Sequence, residues 1–204
     1  MHEILAPTDE SIKYVADVLV RGGVAAFPTE TVYGLGGNAH CDKSISEIFL
    51  RKGRPESKPL NICYSSFEKV FDDVEINDRA LVLAKKFLPG PLTIVLKRRS
   101  SSKLSQLCTG GLETMGVRIP SDPVAAKLLA QLPFPLAAPS ANKSACPSSI
   151  TAQQVSDSLK DNKNLIILDG GPCSIGIEST IVDLVENKII RIGAISATEI
   201  ESFL

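Results

Sequence analysis

The sequence predicts an α/β (α+β) fold: one twisted sheet of mixed parallel and antiparallel strands, helices packed on it, and residues 1–204 in a single domain. Three observations carry this. Apolar runs of strand length alternate along the chain with segments of helical periodicity. Residues 180–185 and 188–192, flanking Glu186-Asn187, read as a hairpin, so antiparallel pairs must interrupt a sheet that interleaved helices would otherwise make parallel. The chain is 204 residues long and 44% hydrophobic, enough for a full core, with no repeat, low-complexity tract or linker to divide it.

Each element has a local cause. Residues 10–21 set Ile12, Val15, Ala16 and Leu19 on one helical face, with Gly22-Gly23 as the stop. Strand 24–27 follows. Asp42 reads as the cap of a helix to residue 51 with Ile45, Ile48 and Phe49 apolar; a charged Gly/Pro loop then leads to a short buried strand at 60–64. Asn77 caps a helix through Phe87, which Pro89-Gly90-Pro91 ends. Strand 92–96 precedes a polar stretch, 98–113, that reads as mobile. Strand 115–119, a helix from Asp122 to 132, and strand 136–138 come next. A polar loop, a helix capped by Thr151, a strand at 165–168 ending in Asp169-Gly170-Gly171-Pro172, and a closing helix at 196–203 complete the series.

Composition narrows the chemistry. Twenty-two basic and 23 acidic residues leave a net charge of -1, so any attraction for anions must be local. No apolar run approaches the ~20 residues of a membrane span, and residues 1–4 lack a signal-peptide core, so no membrane association and a cytoplasmic location are expected. Five cysteines, with no C-x-x-C pair, read as reduced thiols. With only His2 and His40, a histidine metal cluster or a histidine relay has little to draw on. A site in this chain works by positioning and charge.

The candidate site begins where strand 24–27 runs into Pro28-Thr29-Glu30-Thr31-Val32-Tyr33-Gly34-Leu35-Gly36, which brings hydroxyls, a carboxylate and glycines to the end of a buried strand. Arg118 and Arg191 stand among apolar residues of two strands. A solvated outer face explains one such arginine; two of them, with the cationic loop Lys52-x-Arg54-x-x-x-Lys58, favour an anion site, because a guanidinium fork matches carboxylate or phosphate. Gly34-x-Gly36-Gly37 is neither a Walker A nor a dinucleotide fingerprint. Ser140-Ala141-Asn142 and Glu178-Ser179-Thr180 place further polar groups at strand ends.

Together these blocks resemble the YrdC family, the threonylcarbamoyl-AMP synthases, in the same order and over nearly the whole chain: residues 27–36, Lys52-Gly53-Arg54-Pro55, Pro59-Leu60, Pro89-Gly90-Pro91-Leu92-Thr93, Val117-Arg118-Ile119-Pro120, residues 138–142, and Glu178-Ser179-Thr180 with Arg191. The resemblance implies a nucleotidyltransferase that condenses L-threonine, bicarbonate and ATP to threonylcarbamoyl-adenylate and pyrophosphate. Tranferase machinery acting downstream then modifies a tRNA adenosine. It implies a large concave cavity in a single-domain protein. It also assigns Thr31, Cys63 (where some relatives have histidine), Arg118, Ser140 and Ser179 to threonine. To ATP it assigns Arg54, Lys58, Thr114, Asn142, Ile150 and Arg191, with Lys52 adding charge nearby; no protein metal ligand is expected, and Mg2+ would come with ATP. Two other readings stand beside this one: a carbamoyl-adenylate former, and a noncatalytic RNA-binding module that makes tRNA contact through the same cavity and through Lys85-Lys86, Lys97-Arg98-Arg99 and Lys103.

Overall fold

A computed structural model describes residues 2–203. In chain order the elements are β1 (Glu3–Leu5), α1 (Asp9–Val20), β2 (Val24–Phe27), β3 (Gly34–Asn38), α2 (Asp42–Lys52), β4 (Ile62–Cys63), α3 (Asp78–Phe87), β5 (Leu92–Lys97), β6 (Thr114–Arg118), α4 (Pro123–Ala130), β7 (Leu136–Ala137), α5 (Ala152–Ser158), β8 (Ile166–Leu168), β9 (Thr180–Asp183), β10 (Lys188–Arg191) and α6 (Ala197–Glu201). Ten strands form one sheet in the order β1-β8-β2-β3-β7-β4-β6-β5-β9-β10. The pairs β1/β8, β2/β8, β4/β6 and β5/β9 are parallel and the other five antiparallel, so the sheet is mixed as expected.

Helix starts follow side-chain capping. Asn77 Oδ1 accepts the Ala80 N–H at 2.9 Å, Asp122 Oδ1 accepts from both Val124 and Ala125 at 2.9 Å, and Thr151 accepts from Gln154. Ser196 and Glu199 cap α6 reciprocally. Asp42 corrects one expectation: it is the first residue of α2, and Cys41 holds the cap position without a side-chain bond. The Asp42 charge serves the helix dipole instead.

Two strands escape the sequence pattern. β1 is short and mostly exposed. β3 is Gly-Leu-Gly-Gly-Asn, poor strand material by propensity. Its glycines answer to space: a Cβ on Gly36 would lie 2.8 Å from the Phe27 ring, and one on Gly37 would lie 3.1 Å from Ile48 Cδ1 of α2. The polar stretch 98–113 is likewise no loose connection. Leu104, Cys108 and Thr109 are buried within it, the Ser105 N–H donates to Ala39 O, and Cys108 O accepts from Leu60 N. Arg98 and Arg99 donate to the carbonyls of Ser102, Leu104 and Val74, while Lys97 pairs with Glu75, so the basic run is spent on local structure. Among the described residues no helix is long and apolar enough to cross a membrane, and the cysteines are free thiols.

Side-chain alternation sorts the core into two layers. Val24, Ala26, Ile62 and Val117 face the layer of α2, α3 and α5, whereas Ala25, Phe27, Cys63 and Leu136 face α1 and α4. Apolar residues of α1 and α4 pack over β1, β8, β2 and β7 on that second face. Over β6, β5, β9 and β10 they give no cover, and the candidate site lies there.

Asp73, 5% exposed, accepts from Tyr64 Oη at 2.9 Å and Ser102 Oγ at 2.6 Å, tying the end of β4 to the 98–113 segment. Replacing it with alanine orphans the buried Tyr64 hydroxyl. Urea unfolding of Asp73→Ala is expected to show a loss of about 1–3 kcal/mol with an unchanged denaturant slope.

Candidate functional site

A cavity of about 380 Å³ occupies the uncovered part of the sheet. Register explains its floor. Arg118 lies beside Cys63 across β6/β4, Gly116 opposite Val95 across β6/β5, and Val95 beside Asp183 across β5/β9. These residues share a face, and all of them line the cavity with Thr114 and Ile181. Met115 and Val117, one step out of phase, belong to the opposite core layer. Gly116 keeps the floor low: a Cβ there would stand 2.8 Å from Asn61 Oδ1 and 2.9 Å from Thr93 Cγ2.

The three arginines meet in this one cavity from three separate segments. Arg118 is 7% exposed, which rules out a solvated outer face. Its Nη2 donates to Glu30 Oε1 at 2.8 Å, its Nε reaches Gly90 O at 3.4 Å, and Glu30 Oε2 also accepts the Ser121 N–H. None of these bonds uses Nη1. Arg191 is half-buried; it donates to Ser179 O through Nε and Nη2, to Ser179 Oγ at 3.3 Å, and pairs through Nη1 with Glu178. Arg54 curls over its own loop, donating to Pro59 O at 2.8 Å. Burial lowers the guanidinium pKa of Arg54 and of Arg191, and Glu178 opposes that shift in both.

Hydroxyls complete the wall. Ser140 and Ser179 line the cavity, and Ser179 Oγ lies 2.9 Å from Thr93 Oγ1. Thr29 rather than Thr31 faces it: Thr31 is fully buried, with its Oγ1 2.9 Å from Thr29 Oγ1. Thr29 Oγ1 also accepts from the Thr31 and Val32 N–H groups and donates to Val32 O, which holds the turn after β2. Cys63 lines the floor as a neutral thiol, pushed up to about 11 by burial against the opposing pull of Arg118.

Of the residues singled out from sequence, Arg54, Lys58, Cys63, Thr114, Arg118, Ser140, Ser179 and Arg191 are brought together here. Thr31, Lys52, Asn142 and Ile150 do not line it. Lys52 is buried, and its Nζ donates to the carbonyls of Ser140 and Asn142, bracing that loop from within. Burial and then the Arg54 charge pull Lys52 down to about 8. Asn142 is buried too, donating to Lys143 O and Cys146 O while its Oδ1 has no partner. Ile150 is half-buried; its N–H donates to Gln154 Oε1. Sequence reasoning missed Asn61 and Asp183 as lining residues; it marks the run holding Thr29 and Glu30 as part of the site, but not that Thr29 faces the cavity or that Glu30 is the carboxylate that aims Arg118. For Asp183, strand alternation from Ser179 was the available signal; for Glu30, only tertiary contact reveals the pairing.

The family model Sua5_yciO_yrdC, described as "Telomere recombination", matches residues 17–193. Two curated relatives carry the name threonylcarbamoyl-AMP synthase. That of Pyrococcus abyssi is 43% identical over 95% of this chain and 57% of its own length; that of Bacillus subtilis is 38% identical over 98% and 58%. The chain thus spans a little under three-fifths of these relatives. The crystal structure of P. abyssi Sua5 complexed with L-threonine superposes with a TM-score of 0.92 at 40% identity, covering 100% of this chain and 61% of that one.

Glu30→Ala leaves the Arg118 charge buried without its carboxylate and is expected to cost about 3–5 kcal/mol in urea unfolding, whereas Glu30→Leu combined with Arg118→Met is expected to cost much less than the sum of the two single changes. The Lys52 ammonium, followed by NMR, is expected to titrate near pH 8, and Arg54→Ala is expected to move its midpoint upward because a like charge is removed.

Proposed function

The chain belongs to the Sua5/YciO/YrdC family, and from that premise we propose that it is a threonylcarbamoyl-AMP synthase, joining L-threonine, bicarbonate and ATP into threonylcarbamoyl-adenylate with release of pyrophosphate and water. One observation carries this reading: guanidinium groups from the loop after α2, from β6 and from β10 converge with Ser140 and Ser179 around one cavity. That is the equipment for holding an amino acid against a polyphosphate. The same names borne by relatives 38–43% identical support it.

In this scheme Arg118, aimed by Glu30, takes the threonine carboxylate through its remaining amino group, while Ser140, Ser179 and Thr29, the last backed by Thr31, contact the polar atoms of the amino acid. Arg54, Lys58 and Arg191 face the triphosphate, and Thr114, Asn142 and Ile150 lie toward the nucleoside. The amine nitrogen of threonine forms a bond to the bicarbonate carbon with loss of water. The resulting carbamate oxygen then attacks the α-phosphorus, and the bond to pyrophosphate breaks. The protein's share is to hold three reactants together and to offset developing charge; co-localisation of reactants is worth up to about 7–11 kcal/mol. Mg2+ accompanying ATP would add positive charge beside the phosphates. The adenylate would pass to cytoplasmic machinery that transfers the threonylcarbamoyl group to tRNA.

Incubating the protein with labelled bicarbonate, ATP and threonine is expected to give a labile labelled adenylate and pyrophosphate only when all three are present; an adenylate formed instead from ATP and a ready-made carbamoyl donor such as carbamoyl phosphate, with no threonine, would indicate carbamoyl-adenylate chemistry. Arg118→Ala is expected to raise the threonine KM roughly 10- to 100-fold, since a charged hydrogen bond contributes about 1.5–3 kcal/mol. An unchanged KM would overturn that assignment. Arg54→Ala is expected to weaken ATP instead.

A further inference from the structure

Glu178 has no role in the scheme above, yet it lines the same cavity as the cations. Its Oε2 pairs with Arg191 Nη1, and its Oε1 accepts from Ser148 Oγ at 2.7 Å. Its charge also acts on Lys52 and Arg54. The backbone beneath it is clamped: Glu178 O accepts the Ala194 N–H at 3.0 Å, and a Cβ on Gly193 would collide with that carbonyl at 2.1 Å. The side chain, by contrast, is about one-third exposed. A carboxylate on a fixed backbone thus reaches into the cavity that Arg54 and Arg191 line and bridges the loop that bears Ser148 to β10.

We propose that Glu178 is an internal stand-in for phosphate: before nucleotide binds, its carboxylate holds the place beside Arg191 and Arg54 that a polyphosphate takes, and nucleotide binding displaces it from Arg191 and releases Ser148. This rests on the reading that ATP is the ligand of these cations. It makes Glu178 a positioning residue with a cost attached. The carboxylate keeps Arg191 in place before binding, and it competes with the incoming anion for the same guanidinium.

The test is calorimetric titration of ATP, and separately of inorganic triphosphate, into the wild-type protein, Glu178→Gln and Glu178→Ala, with L-threonine titrated as a check that the cavity is intact. Removing the competing charge is expected to tighten both polyphosphates about three- to fivefold in each variant, in keeping with the size of partly exposed ion-pair couplings, and to leave threonine affinity within about twofold. Equal or weaker polyphosphate binding in both variants, with threonine binding retained, would overturn the proposal and leave the ATP reading standing. Absence of ATP binding to the wild-type protein would overturn both. Should Glu178→Ala fail to fold, Glu178→Gln, which keeps the shape and the Ser148 contact, decides the matter alone.

Discussion

Positive charge cannot be taken out of water without acceptors, and the architecture of this protein is arranged around that constraint. Four cations near the cavity are held by groups the fold supplies. Arg118 has Glu30 and Gly90 O, Lys52 has two carbonyls, Arg191 has Ser179 O and Glu178, and Arg54 has Pro59 O. The acceptors are mostly backbone carbonyls in loops that would otherwise be free to move. The cations therefore organise the loops as much as the loops organise the cations. A ligand then meets groups already oriented, so less order is lost on binding.

The sheet decides where this can happen. Strand order brings β6 beside β4 and β9 beside β5, although each pair is far apart in sequence. Helices α1 and α4 cover one part of the common face and leave the rest open. The segments that carry the arginines arrive at the opening from a helix end, a central strand and the edge strand β10. Central strands are firmly placed by their neighbours, so the carboxylate-binding candidate Arg118 stands on the most rigid support, whereas Arg54 and Lys58 ride on a loop. Under the proposed function, a small amino acid would meet a rigid grip and a flexible polyphosphate a softer one.

Much of this was legible in residues 1–204 before any coordinates. Helices α1, α3, α4 and α5 start where their capping residues or apolar stripes say, and strand β2 has the bounds its apolar run suggests. These signals are local, so the sequence displays them. What stayed hidden depended on distant contacts. β3 looks like a glycine loop until Phe27 and α2 are seen on either side of it. The 98–113 stretch looks solvated until Ala39, Leu60 and Asp73 are seen to take its polar groups. Lys52 reads as a free cation in a charged loop because nothing nearby in sequence shows that Ser140 and Asn142 present their carbonyls to it. Thr31 and Thr29 are two residues apart, and only the turn's hydrogen bonds tell which of them faces inward.

Gly116 carries a consequence of its own. It lies on a middle strand between Thr114 and Arg118, where Asn61 and Thr93 already crowd the place a methyl group would take. The depth of the hollow at that point is set by an omission, and an omission cannot flex, titrate or turn aside as a side chain can. At that spot occupants of different bulk can be met only by the side chains and loops around it, so any drift over evolutionary time in the size of what the hollow holds has to be written into its surroundings and never into that part of the bed.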